Sequence, residues 1–126
     1  MKKKISKEQA KLARELSKDL PIEIRFQDYR DINEKFDRII SLGMFEHVGV
    51  KHYPEFFTHV HKLLKENGLA LLHAIGCSEG PSRPNPWLTK YIFPGGYCPA
   101  LSETVEAIEP CHLHVTDIEI LHHHYA

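Results

Sequence analysis

Two side chains able to exchange or orient a proton, Glu46 and His73, fall beside apolar runs. Glu46 lies in Leu42-Gly43-Met44-Phe45-Glu46-His47-Val48-Gly49, after an apolar run and ahead of a helical pattern. His73 lies within Leu72-His73-Ala74-Ile75-Gly76, the end of a second apolar run. If both runs are strands of an open α/β sheet, both groups sit at the strand tips, where ligands of such sheets collect. An imidazole titrates near neutral pH, and a carboxylate beside it can fix its tautomer, so the pair suits proton handling.

The elements that must carry this pair are readable from periodicity. Ser6-Lys7-Glu8-Gln9 fits a capping box, and Leu12, Ala13, Leu16 and Leu20 make a helical stripe that Pro21 ends. Ile22, Ile24 and Phe26 alternate with Glu23 and Arg25, predicting a strand that leaves through the loop Asp28-Tyr29-Arg30-Asp31. Phe36 to Leu42 predicts a second strand. A helix opens at Pro54, with Phe56, Phe57, Val60, Leu63 and Leu64 on one face and Asn67-Gly68 as its stop. Leu69 to Ile75 is nearly continuously apolar, as in a buried parallel strand. Strand, helix and strand then form a right-handed βαβ unit. Further on, Trp87 to Phe93 predicts a short helix stopped by Pro94-Gly95-Gly96. Ser102 caps another helix reaching Ile108, and Leu113 to Ile120 alternates like a last strand. The fold class expected is α/β, a partial Rossmann-like arrangement with a mostly parallel sheet and flanking helices, forming one domain over residues 1–126. Its sheet would have open edges, which invite pairing. On this reading the chain is an excerpt of a larger domain.

Composition narrows the class of function. With 126 residues, 42% hydrophobic and 26% charged, the chain suits one ordinary globular unit. A net charge of -1 provides no global field for nucleic acid. No apolar run approaches the roughly 20 residues of a membrane-spanning helix. The three cysteines, Cys77, Cys98 and Cys111, are odd in number and irregularly spaced, and read as reduced cytosolic thiols. His122-His123-His124 does not make a metal site, because neighbouring side chains on an extended segment point oppositely.

The segment Phe36 to Gly49 is similar to the cyclopropane-fatty-acyl-phospholipid synthase family, as are Leu71 to Gly76, Pro86 to Pro94 with Gly96, and Val115 to Glu119. The likeness runs in order from about Ser6 to Tyr125. It implies an S-adenosylmethionine-dependent methyltransferase that delivers a methylene group to the cis double bond of an unsaturated phospholipid acyl chain. It further implies a bound bicarbonate as the base, with Glu46, His73, Ile75 and Tyr125 matching the bicarbonate positions. His73, the Tyr125 phenol and a backbone N–H near Ile75 would donate to that anion, and Glu46 would hold its hydroxyl. Tyr91, Phe93 and Tyr97 would face the developing carbocation. Gln27 and Asp28 match a segment beside the adenine, and Ser41 and Gly43 would line the same cofactor crevice. The family's glycine-rich loop falls ahead of the matching region, so this polypeptide alone is expected to bind the cofactor weakly and to be inactive. The reduced thiols and the membrane substrate that the likeness implies place the protein in the cytoplasm, against the inner face of the membrane, and the open sheet edges predict a homo-oligomer or a complementing segment. Two other readings stand beside it. One is a methyltransferase of the same superfamily acting on a lipid or a small molecule. The other is a non-catalytic fragment that persists as a folded oligomer.

Overall fold

The computed structural model describes residues 7–83, 85–91 and 94–122, with residue 88 described by its backbone alone. The chain falls into two compact units, Met1–Glu34 and Lys35–Ala126.

In the first unit, α1 covers Lys7–Leu16. It stops short of Pro21 because Ser17 turns its hydroxyl back onto the Ala13 carbonyl at 2.8 Å, and a turn closed by Leu20 N–H to Ser17 O follows. Ser6, expected as the cap, lies outside the described residues. Residues 22–26 form no strand, contrary to their alternation. A strand needs a neighbour to take its backbone groups, and here Arg25 is tied by its side chain to Glu23 and Glu34.

The second unit is built on β1 (Phe36–Leu42), α2 (Tyr53–Leu63) and β2 (Leu64–His73), and the two strands pair in parallel. Their order, strand–helix–strand, is the expected βαβ unit. Helix α2 ends at Leu63, before the expected Asn67-Gly68 stop, and those two residues instead make an irregularity inside β2. Phe36 pairs with Leu64 and Arg38 with Leu69, so an advance of two positions along β1 matches an advance of five along β2. Asn67 adopts φ 60° there. A Cβ on Gly68 would lie 2.9 Å from the Lys65 carbonyl oxygen and 3.3 Å from that of Asp37, so only glycine fits.

The core of this unit is aromatic. Phe45 is fully buried, stacks on Tyr53 at 4.1 Å and meets Phe56 and Phe57 at 5.3 and 5.5 Å. Val60 and Leu63 continue the same face of α2. Helix α4 (Leu101–Ile108) packs against α2, and Cys111 closes the contact through its thiol to the Pro54 carbonyl. Ser102 does not cap α4. The N-cap is Ala100, whose N–H is taken by the Glu103 carboxylate at 2.9 Å. A short α3 spans Pro86–Tyr91.

Two expectations about the sheet are corrected. Residues 113–120 run without a ladder partner among the described residues, so the sheet there has two strands. The face bearing Ile40, Leu42, Leu69 and Leu71 is open, with exposures of 64%, 66%, 54% and 59%, not buried as the apolar run suggested. No helix of the described residues is long and apolar enough to cross a membrane.

Candidate functional site

The carboxyl ends of β1 and β2 gather the chemistry-bearing residues of the second unit. Beyond Leu42 the chain turns at Gly43, with φ +63°, and donates Gly43 N–H to the His73 carbonyl at 3.1 Å. The register sets Ser41 beside Leu72 and Leu42 beside His73, so the two strand tips end level. A 3₁₀ turn over Phe45–His47 follows, and Phe45, driven into the core, fixes the position of its neighbour Glu46.

Glu46 is held twice. Its carboxylate accepts the Ile75 backbone N–H at 2.8 Å, and its backbone carbonyl accepts Tyr97 N–H at 2.8 Å. The other carboxylate oxygen, Oε2, is buried with no hydrogen-bond partner among the described residues, as is the Ser41 hydroxyl. A buried acceptor left in that state costs about 1–3 kcal/mol. Both atoms therefore mark places where a ligand group would be stabilised.

The segment 97–100 walls this region. Cys77 N–H donates to the Pro99 carbonyl at 2.9 Å, and the Tyr97 hydroxyl donates to the Glu103 carboxylate at 2.8 and 2.9 Å. Burial, then the hydrogen bond and charge of Glu103, push the Tyr97 phenol up to about 12. Burial first, and then Glu103, Tyr97, Glu46 and Cys98, push Tyr53 higher still. Burial and the charges of Glu46 and Cys77 raise the Cys98 thiol.

Of the expected site residues, Glu46 and Ile75 are bonded to one another, and His73 and Gly43 meet across the strand tips. The Ile75 N–H, expected to face an anion, is directed at Glu46. Gln27 and Asp28 belong to the first unit. Asp28 caps the 3₁₀ turn Tyr29–Asp31 and pairs with Arg30 at 2.7 Å, while Gln27 donates to the Asp31 carbonyl. Tyr125 and Phe93 lie outside the described residues. Tyr91 is exposed beside Trp87, and the Tyr97 hydroxyl is taken by Glu103. The sequence passes over Tyr53 and offers Glu103 only as a first-turn carboxylate of its helix. Tyr53 had one readable signal, its place at the start of the helix that follows the Glu46 motif.

Comparison with known proteins places the chain in a family. The chain is 47% identical over 106 residues to cyclopropane-fatty-acyl-phospholipid synthase of Escherichia coli strain K12, covering 84% of this chain and 28% of that protein. It is 33% identical over 116 residues to cyclopropane mycolic acid synthase 3 of Mycobacterium tuberculosis, covering 82% of this chain and 40% of the relative. The fold superposes on the cyclopropane synthase MmaA2 of Mycobacterium tuberculosis with a TM-score of 0.76 at 26% identity, over 89% of this chain and 45% of that one. It also superposes on mycolic acid cyclopropane synthase CmaA1, solved with SAH and CTAB, with a TM-score of 0.75 at 29% identity and the same coverage. The chain thus spans less than half the length of these relatives, within the α/β methyltransferase fold they share. The family model for mycolic acid cyclopropane synthetase matches residues 2–126, and the chain belongs to that family.

Proposed function

We propose that this chain supplies the catalytic side of an S-adenosylmethionine-dependent cyclopropane synthase acting on unsaturated phospholipid acyl chains. One observation carries the reading furthest: at the strand tips, Glu46 has one carboxylate oxygen fixed by Ile75 N–H and the other buried with no donor. A bicarbonate ion has one hydroxyl to donate and anionic oxygens to accept, so it matches that bare oxygen. The buried Ser41 hydroxyl and the open turn at Gly43 likewise suit a polar cofactor edge.

Bound there, S-adenosylmethionine would supply the one-carbon group and bicarbonate would supply a basic oxygen. The residues do the holding. Glu46 accepts the anion's hydroxyl and fixes its rotation, and His73 and Tyr125 donate to its oxygens. Ser41 and Gly43 line the cofactor crevice. The electron-rich rings of Tyr91, Phe93 and Tyr97 favour positive charge nearby. The protein works at the cytoplasmic face of the membrane, where its acyl-chain substrate lies.

The test has two arms. Calorimetry of the isolated chain with S-adenosylmethionine should give no micromolar isotherm. A chimera in which this chain replaces the matching segment of the Escherichia coli relative should convert unsaturated phospholipid to its cyclopropane form, read by mass spectrometry. Glu46→Gln in the chimera should lower that rate by about 10²-fold or more, the scale of losing the base that Glu46 holds in place. Methylated, unclosed acyl chains from the chimera would transfer the assignment to another methyltransferase of the superfamily. No product from a folded chimera would favour a non-catalytic chain.

A further inference from the structure

Tyr53 opens α2, is 1% exposed, and keeps its ring stacked on Phe45 at 4.1 Å. Its hydroxyl has no hydrogen-bond partner among the described residues. Phe45 is the chain neighbour of Glu46, whose Oε2 is likewise buried without a partner among the described residues. The phenol is thus a donor lacking an acceptor, and the carboxylate oxygen is an acceptor lacking a donor. They do not satisfy one another directly. The groups acting electrostatically on the phenol are Glu103, Tyr97, Glu46 and Cys98. Of these, Tyr97 and Glu103 are already engaged with each other at 2.8 and 2.9 Å.

We propose that Tyr53 and Glu46 are two ligands of one small protonated oxyanion, the Tyr53 hydroxyl donating to an anionic oxygen while the oxyanion's own hydroxyl donates to Glu46 Oε2. This rests on the bicarbonate reading above and adds Tyr53 to it. The pair also sets selectivity. Chloride and formate accept hydrogen bonds but have none to give at neutral pH, so either would set its charge against Glu46 without relief. Bicarbonate gives and accepts. Tyr53 is suited to its part because burial and the surrounding carboxylates keep the phenol protonated, so it remains a donor through the neutral range.

The test is a titration of the purified chain with ¹³C-bicarbonate, followed by NMR line broadening, for wild type, Tyr53→Phe and Glu46→Gln. Phenylalanine keeps the stacked ring, and circular dichroism checks the fold. Binding should weaken about tenfold in Tyr53→Phe and at least as much in Glu46→Gln, with formate failing to compete. The melting temperature of wild type should rise with bicarbonate, and that of Tyr53→Phe should not. A further readout needs no variant: bicarbonate should perturb the wild-type tyrosine absorption in an ultraviolet difference spectrum. Wild-type binding that is lost in Glu46→Gln but unchanged in Tyr53→Phe, or a flat difference spectrum, would overturn the role of Tyr53 alone. No binding to wild type would overturn this role together with the bicarbonate reading.

Discussion

Tyr97 shows how one residue fastens two parts of the site. Its N–H holds the Glu46 carbonyl and its hydroxyl is spent on Glu103, which also takes Ala100 N–H. The fold therefore favours the neutral phenol, whose folded value of about 12 exceeds the ordinary 10. The sign follows from linkage: stability from this group is fully present below pH 10 and drains away as pH rises towards 12. Thermal melts from pH 9 to 12 should show that loss in wild type, and Tyr97→Phe should make it shallower, leaving the part due to Tyr53, while lowering stability at neutral pH. Such contacts were hidden in the sequence. Glu46 and His73 could be read from their places beside apolar runs, because strand tips are a local pattern. The Glu46 bond to Ile75 and the Tyr97 bond to Glu103 depend on where a loop folds back, which no periodicity encodes.

At the level of elements, β1 and β2 followed from apolar runs and α2 from the helical stripe Phe56, Phe57, Val60 and Leu63. Residues 22–26 and 113–120 carry good alternation, yet form no ladder among the described residues. Alternation specifies which way side chains point; a strand also needs a partner for its backbone. Asn67-Gly68 misled for a related reason. That pair reads equally well as a helix stop or as an irregularity within a strand, and the packing of Gly68 against the Lys65 and Asp37 carbonyls chose the second. Gly68→Ala should therefore cost about 1–3 kcal/mol in a denaturant melt, the range for overpacking a tight site. An unchanged midpoint would mean the β1–β2 register tolerates a shift there.

For the whole molecule, the parallel pair leaves one apolar face uncovered, with Ile40, Leu42, Leu69 and Leu71 side by side. Contiguous exposed apolar surface of this kind drives association. We propose that the chain assembles with copies of itself through that face. Gel filtration should give an apparent mass above the 14.6 kDa monomer. Leu71→Lys should return it toward that mass, and a monodisperse wild-type monomer would contradict the proposal.

The sequence contains one tryptophan, and the structure leaves it out in the open: Trp87 is 58% exposed on α3, with Tyr91 at 5.9 Å. Indoles favour the boundary between lipid headgroups and hydrocarbon. The protein thus has its own optical probe. Every photon of indole emission originates from a single place in the fold, so its colour speaks for the surroundings of α3 without a dye or an engineered label.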